Sequence, residues 1–244
     1  MTKDTGREFM LKTRYSYLDD SDQSQELPQP PLELPYDPSA PVIDLPAPDT
    51  LDMGKQRLTE IIVQRESRRR YTNQPLSLAE LSYLLWCTQG VKTVLPHATR
   101  RTVPSAGARH AFETYLLVNR VEGLQPGLYR FLALNHKLLP VNLDANIAGN
   151  ITAAALDQDQ VKRSAVTFIW VAVTYRMTWR YVERGYRYLH LDAGHVCQNL
   201  YLAAEAIGAG VCAIAAFDDE SMNTLLGCNG DEQFVIYMGT VGKV

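Results

Sequence analysis

Residues 165–175 form a nearly unbroken apolar run rich in Val, Thr, Ile and Phe. A run of that length and β-branched content predicts a central strand buried on both faces, so the chain must supply covering layers on two sides. Helices are available for both. Ser77, Leu78, Ala79 and Glu80 spell a capping box. It opens a helix over 78–89 whose apolar side is Leu81, Leu84, Leu85 and Cys87, with Gly90 as the stop. Helical periodicity also marks 188–207, which ends at Gly208, and shorter stretches at 147–156 and 219–226. A further helix is expected to start after Asp49-Thr50 and run to residue 64. Strands are expected at 112–118, 127–132, 137–141, 211–217 and 234–241, and an irregular loop at 91–110. Helices and strands interleave without clean βαβ units, and 112–141 reads as a meander. The predicted class is α+β, with a central, mostly antiparallel sheet flanked by helices.

The first part of the chain differs in kind. Residues 1–50 read as a proline-rich N-terminal arm, with Pro28, Pro30, Pro31, Pro35, Pro38, Pro41, Pro46 and Pro48, ahead of a folded body at 51–244. Proline fixes φ and removes backbone donors, so the arm is expected to be extended and to wrap its own body or a partner subunit. The 244 residues suffice for one good-sized core or two small ones, and the formal charge of -3 gives no general pull toward nucleic acid or a membrane surface. Cys87, Cys197, Cys212 and Cys228 form no C-x-x-C pair and read as buried thiols of a reducing compartment. No stretch reaches the ~20 apolar residues of a membrane span, and residues 1–15 lack the apolar segment of a secretory signal. A cytoplasmic location is the expectation.

The densest concentration of chemistry lies at Arg65, Glu66, Ser67, Arg68, Arg69 and Arg70. Guanidinium forks match phosphate oxygens, and a serine hydroxyl adds a neutral donor. The cluster follows a predicted helix, whose C-terminal pole repels anions, so its side chains would have to do the holding. A solvated basic turn is the alternative. Ala213, Ile214, Ala215 and Ala216 form a strand end of little bulk, against which a flat ligand can lie; close helix–sheet packing explains the same residues. Residues 104–108, in a loop of small side chains, are a further candidate. His190 and His195 stand ~140° apart on their helix, which argues against a shared metal, and no metal site is expected. Residues 177–188 are rich in aromatic and guanidinium groups, a composition that suits nucleic-acid stacking, but the net charge argues against that.

Taken in order, these motifs resemble the FMN-dependent nitroreductase superfamily. The likeness is carried by 65–71, by Leu78, Leu81, Leu84, Leu85, Trp86 and Gly90, by 101–108 and by Gly127-Leu128-Tyr129. It continues through Arg184-Gly185-Tyr186-Arg187, 192–200 and Phe217-Asp218-Asp219. Within the superfamily the chain is most similar to the azoline dehydrogenases of azole-modified peptide biosynthesis. The resemblance implies an intertwined homodimer with FMN at the subunit interface. It assigns the FMN phosphate and ribityl chain to Arg65, Ser67 and Arg69, and the ring to Pro104, Ser105, Ala106 and Gly107 of the other subunit. Ala215 would offer its N–H to flavin N5, with Ala213, Ile214 and Ala216 lining the ring and Lys243 as a terminal cation near the phosphate. The implied activity is hydride transfer to or from flavin N5, with azoline heterocycles in peptides as one substrate class. The alternatives are an NAD(P)H-dependent reductase of nitroaromatics or quinones, and a non-catalytic flavin-binding or peptide-docking subunit. The chain departs from the branch twice. His110 replaces a proline, and Arg180-Tyr181 stands where azoline oxidases carry Lys-Tyr. Arginine cannot act as a base, so of the two catalytic candidates, Tyr181 and Arg180, only the tyrosine can exchange a proton.

Overall fold

The computed structural model describes residues 4–244. Eight helices of α type lie along them: α1 (Thr5–Lys12), α2 (Leu58–Gln64), α3 (Leu78–Gln89), α4 (Ile147–Ala154), α5 (Gln160–Arg163), α6 (Thr174–Tyr181), α7 (Gly185–Glu205) and α8 (Asp219–Leu225). The strands are β1 (Ile43–Asp44), β2 (Val91–Leu95), β3 (Ala98–Arg101), β4 (Phe112–Val118), β5 (Gly127–Leu132), β6 (Lys137–Asn142), β7 (Val166–Val173), β8 (Ala209–Ile214) and β9 (Gln233–Lys243). Seven of them form one sheet in the order β1-β6-β5-β4-β7-β9-β8, and every neighbouring pair is antiparallel. Strand β7 is central and buried at every position, and its alternate side chains serve two cores. Phe168 and Trp170 pack with Leu81, Leu84, Leu85, Val196 and Leu200 from α3 and α7. Ile169 and Val171 pack with Ile147, Ile151 and Met222 from α4 and α8. The sheet is therefore the middle layer of three, as a strand buried on both faces requires.

The capping box at α3 is complete: Ser77 Oγ accepts from Glu80 N–H and Glu80 Oε2 accepts from Ser77 N–H. Four local expectations are corrected. Residues 91–110 are not all irregular, because β2 and β3 pair as a hairpin beside the main sheet. The helix ahead of the arginine cluster begins at Leu58, not after Thr50. The apolar run leaves the sheet at Val173 and turns helical as α6. The arm is not extended throughout, since α1 occupies its start; Thr13, just beyond α1, accepts from Arg184 and Arg187 of the body.

The rest of the arm lies on its own body. Leu34 N–H donates to Glu113 Oε1 and Leu134 N–H donates to Glu33 Oε2. Arg176 and Arg130 donate to the carbonyls of Pro31 and Leu34, and β1 extends the sheet at β6. Pro31 takes part as an acceptor alone, since proline offers a carbonyl but no N–H.

Candidate functional site

The arginine segment leaves α2 in extended conformation and lies beside β8. Arg68 N–H donates to Val211 O at 2.8 Å, Ser67 bridges Val211 in parallel, and Thr72 N–H donates to Lys243 O. Gly210 and Gly242 admit the segment: a Cβ on Gly210 would lie 2.6 Å from Arg68 Cβ, and one on Gly242 2.7 Å from Tyr71 Cγ. The Tyr71 hydroxyl closes the far side, donating to Arg68 O or sharing a proton with Thr240 Oγ1 at 2.7 Å. Burial pushes the Tyr71 phenol up, so it stays neutral.

Extended backbone sends alternate side chains to opposite sides. Arg65, Ser67 and Arg69 share one side. The Arg65 guanidinium lies 5.4 Å over the Tyr201 ring, and Ser67 Oγ is 2.9 Å from Tyr201 Oη. Arg69 stands close enough to Cys212 to offset part of the rise that burial imposes on that thiol. Arg68 points the other way and pairs with Glu66 at 2.5 Å. Among the described residues neither Arg65 nor Arg69 has a carboxylate partner. Tyr201 ties the strand end to this group, because its hydroxyl also accepts from Ala213 N–H at 2.9 Å. Beyond it Ile214 is buried, whereas Ala215 and Ala216 are exposed past the end of β8. Lys243 is the correction here. Its ammonium donates to Glu80 at 2.5 Å and to Ile207 O at 2.8 Å, so its charge sits at the C-terminal end of α7 and not among the arginines.

A second group forms around the 104–107 loop. Gly107 has φ +55, and a Cβ there would meet Tyr181 Oη at 2.5 Å and Arg180 Nε at 3.1 Å. The loop and the Arg180-Tyr181 pair, nominated separately from sequence, are thus in contact. The Tyr181 ring packs edge-on against Tyr188 at 4.8 Å, with the Arg180 guanidinium 5.5 Å from its centroid. Asp192 of α7 holds the loop through Ala106 N–H, 3.3 Å from each carboxylate oxygen. Burial pushes the Asp192 carboxyl up, and the Ser105 hydroxyl and Ala106 N–H offset part of that rise. Pro104 is exposed beside it.

His110 explains its own departure from proline. It has φ +43, and its N–H donates to Ser105 Oγ at 2.9 Å; a proline ring locks φ near −65° and has no N–H to give. Burial, reinforced by the charge of Arg101, pushes the His110 imidazole down to about 3. The folded value lies below the unfolded ~6.5, so the stabilisation from neutral His110 is full above that pH and is lost as pH falls toward 3. Asparagine tolerates positive φ and does not titrate. Urea unfolding at pH 6.5 and pH 5 should therefore show wild type losing about 2 kcal/mol more than His110→Asn. Equal losses would contradict a buried neutral imidazole.

His190 and His195 have separate local partners. His190 Nδ1 contacts Tyr186 O at 2.8 Å, and His195 Nδ1 lies 3.8 Å from Asp192 Oδ1. Asn199 donates to Cys87 O at 2.8 Å, the backbone partner that a half-buried amide requires. The two groups themselves are separate within one chain. Asp192 and Tyr201 anchor them about 14 Å apart along α7, at ~1.5 Å per residue. Among the described residues no hydrogen bond or ion pair joins them. Sequence reasoning missed Tyr201 and Asp192, which organise the two groups. The periodicity of α7 marks both as helical, but not what each touches.

The nitroreductase family profile matches residues 62–243, which contain both groups. The chain belongs to the nitroreductase family. It is 35% identical to the nitroreductase-type protein MJ1384 of Methanocaldococcus jannaschii over 72% of this chain and 86% of that one. It is 32% identical to the trifolitoxin-processing protein TfxB of Rhizobium leguminosarum over 54% of this chain, a match that spans 38% of TfxB. Its fold is shared with a chain of the Escherichia coli microcin synthetase McbBCD complex, solved with truncated pro-MccB17 bound. The TM-score is 0.64 and the identity 20%, covering 98% of this chain and 91% of that one.

Proposed function

We propose that the protein is an FMN-dependent oxidoreductase, and that oxidation of azoline rings in a peptide is its activity. The observation that carries the cofactor is the donor set on one side of the 65–69 segment. Two guanidinium groups without carboxylate partners among the described residues flank a serine hydroxyl, beside a strand end of small residues. That set fits a dianionic phosphate. Arg65, Ser67 and Arg69 would hold the phosphate and ribityl chain, and Ala213, Ile214, Ala215 and Ala216 would border the ring. When bound, FMN supplies hydride transfer at N5. NADH or NADPH as reductant is the alternative electron partner.

The separation of the two groups supports completion of each site by a second copy of the chain, with Pro104, Ser105, Ala106 and Gly107 supplied across a homodimer interface. Leu58, Ile62 and Val63 of α2 and Leu191 of α7 are exposed apolar side chains suited to such an interface. Tyr181 is the residue that would hold or move a proton. Its hydroxyl sits against Gly107, and Arg180, always charged, supplies a fixed positive field beside it.

Purified full-length protein should be yellow, release a stoichiometric complement of FMN and scatter light as a dimer. A colourless monomer that takes up no added FMN would contradict the reading. Tyr181→Phe should leave FMN affinity unchanged and slow turnover about a hundredfold, as loss of a positioned proton donor or acceptor does. Flavin titration together with steady-state kinetics separates the two effects; unaltered turnover would remove Tyr181 from the chemistry.

A further inference from the structure

Against the 104–107 loop, with Gly107 in its lining, lies a cavity of about 510 Å³ that extends beyond the residues assigned to the flavin. Its walls are the arm (Gln23, Gln29), the β2–β3 turn (His97) and the residues Arg109, Trp179 and Arg180. The arm wall is tied to α6: Gln23 N–H donates to Trp179 O at 2.9 Å, and Trp179 Nε1–H donates to Leu27 O at 3.1 Å.

The charge in this cavity is unbalanced. Arg109 is only 7% exposed. Its Nε and Nη2 donate to the carbonyls of Gly107 and His97, and its guanidinium stacks 5.5 Å from the Trp179 ring, but no carboxylate among the described residues meets it. Arg180 makes no hydrogen bond or ion pair among the described residues; its guanidinium lies 5.5 Å from the centroid of the Tyr181 ring. The two guanidinium groups are close enough to repel, and that repulsion adds to burial in pushing Arg109 down. Glu26 also lines the cavity but is exposed and pairs with neither. A nearly buried arginine and a neighbouring free one, held on a rigid loop and a clamped helix, are a preorganised receptor for an anion of carboxylate size. The same two residues touch Gly107, so the anion would lie next to the reacting position.

We propose that this cavity is a carboxylate subsite: a substrate reacting beside Tyr181 seats a carboxylate between Arg109 and Arg180, with the arm as outer wall. This deepens the oxidoreductase reading, and the subsite can be tested without it.

The test is calorimetric titration of the full chain with 4-nitrobenzoate and with 4-nitrobenzamide, which differ in the charged group and share the ring. The acid should bind at least tenfold more tightly, as a charge-assisted pair provides. Arg180→Gln, at an exposed position whose guanidinium makes no hydrogen bond or ion pair among the described residues, should lower acid affinity about tenfold and leave the amide unchanged. A short peptide offered as free acid and as C-terminal amide separates a peptide terminus from a small aromatic acid as the source of the carboxylate. Equal binding of acid and amide, binding of neither, or an Arg180→Gln variant that keeps the preference would overturn the subsite. Protein that lacks FMN but discriminates acid from amide would retain the subsite and refute the oxidoreductase reading.

Discussion

Glu113→Ala is expected to destabilise the protein by about 3–5 kcal/mol, the loss that follows removal of one partner from a buried ion pair. Glu113 and Arg176 are each 3% exposed at the side chain and meet at 2.6 Å. Arg101, also buried, donates to Gln89 and Thr99 and has Glu113 as its strongest opposing charge; burial pushes it down to about 10. Without Glu113, Arg176 would lose its one carboxylate among the described residues and Arg101 would keep only Glu33, whose own carboxyl burial pushes up. The same substitution removes the acceptor of Leu34 N–H. The arm should therefore loosen along with the core, and limited proteolysis within 27–48 should accelerate. Urea unfolding gives the magnitude. Replacing both partners together, Glu113→Leu with Arg176→Met, should cost clearly less than Glu113→Ala alone, because no unpaired charge remains buried. A double variant as unstable as the single one would contradict this account of the cluster.

The cluster also shows where the sequence stopped being legible. Helix α6 was hidden because Val166–Val173 runs on into Thr174 and Tyr175, residues of β character, and because the helix buries Arg176, which no apolar periodicity marks. The β2–β3 hairpin was missed because Lys92, Thr93 and Val94 are exposed, so no alternation of burial distinguishes it from loop. Residues 51–57 carry Gly54 at positive φ, which stops a helix from starting before Leu58. Strands β4, β5 and β7 and helix α3 were legible for the opposite reason: dense apolar runs and a complete capping box leave little to tertiary context. At the site, the 65-67-69 alternation could be read because it is local. The Tyr201, Asp192 and Glu80 contacts could not, since each joins residues more than 80 positions apart.

The largest functional effect is expected at the arginine segment. Arg65→Ala and Arg69→Ala should each weaken FMN binding by about 1.5–3 kcal/mol, tenfold to a hundredfold, because each removes charge-assisted bonds to a dianion. The double variant should lose more than either single, without strict additivity, since both positions would act on one phosphate. Arg68 already has Glu66, and its stem fills the space over Gly210. Alternation along the extended segment puts Arg70 with Arg68. Alanine at either should change FMN affinity by less than about threefold. Titration of FMN into the four single alanine variants, followed by flavin fluorescence quenching, is the decisive measurement. Strong losses at Arg65 and Arg69 with weak ones at Arg68 and Arg70 are predicted; four equal, small effects would mean that the segment is a solvated basic turn and that the flavin site lies elsewhere or does not exist.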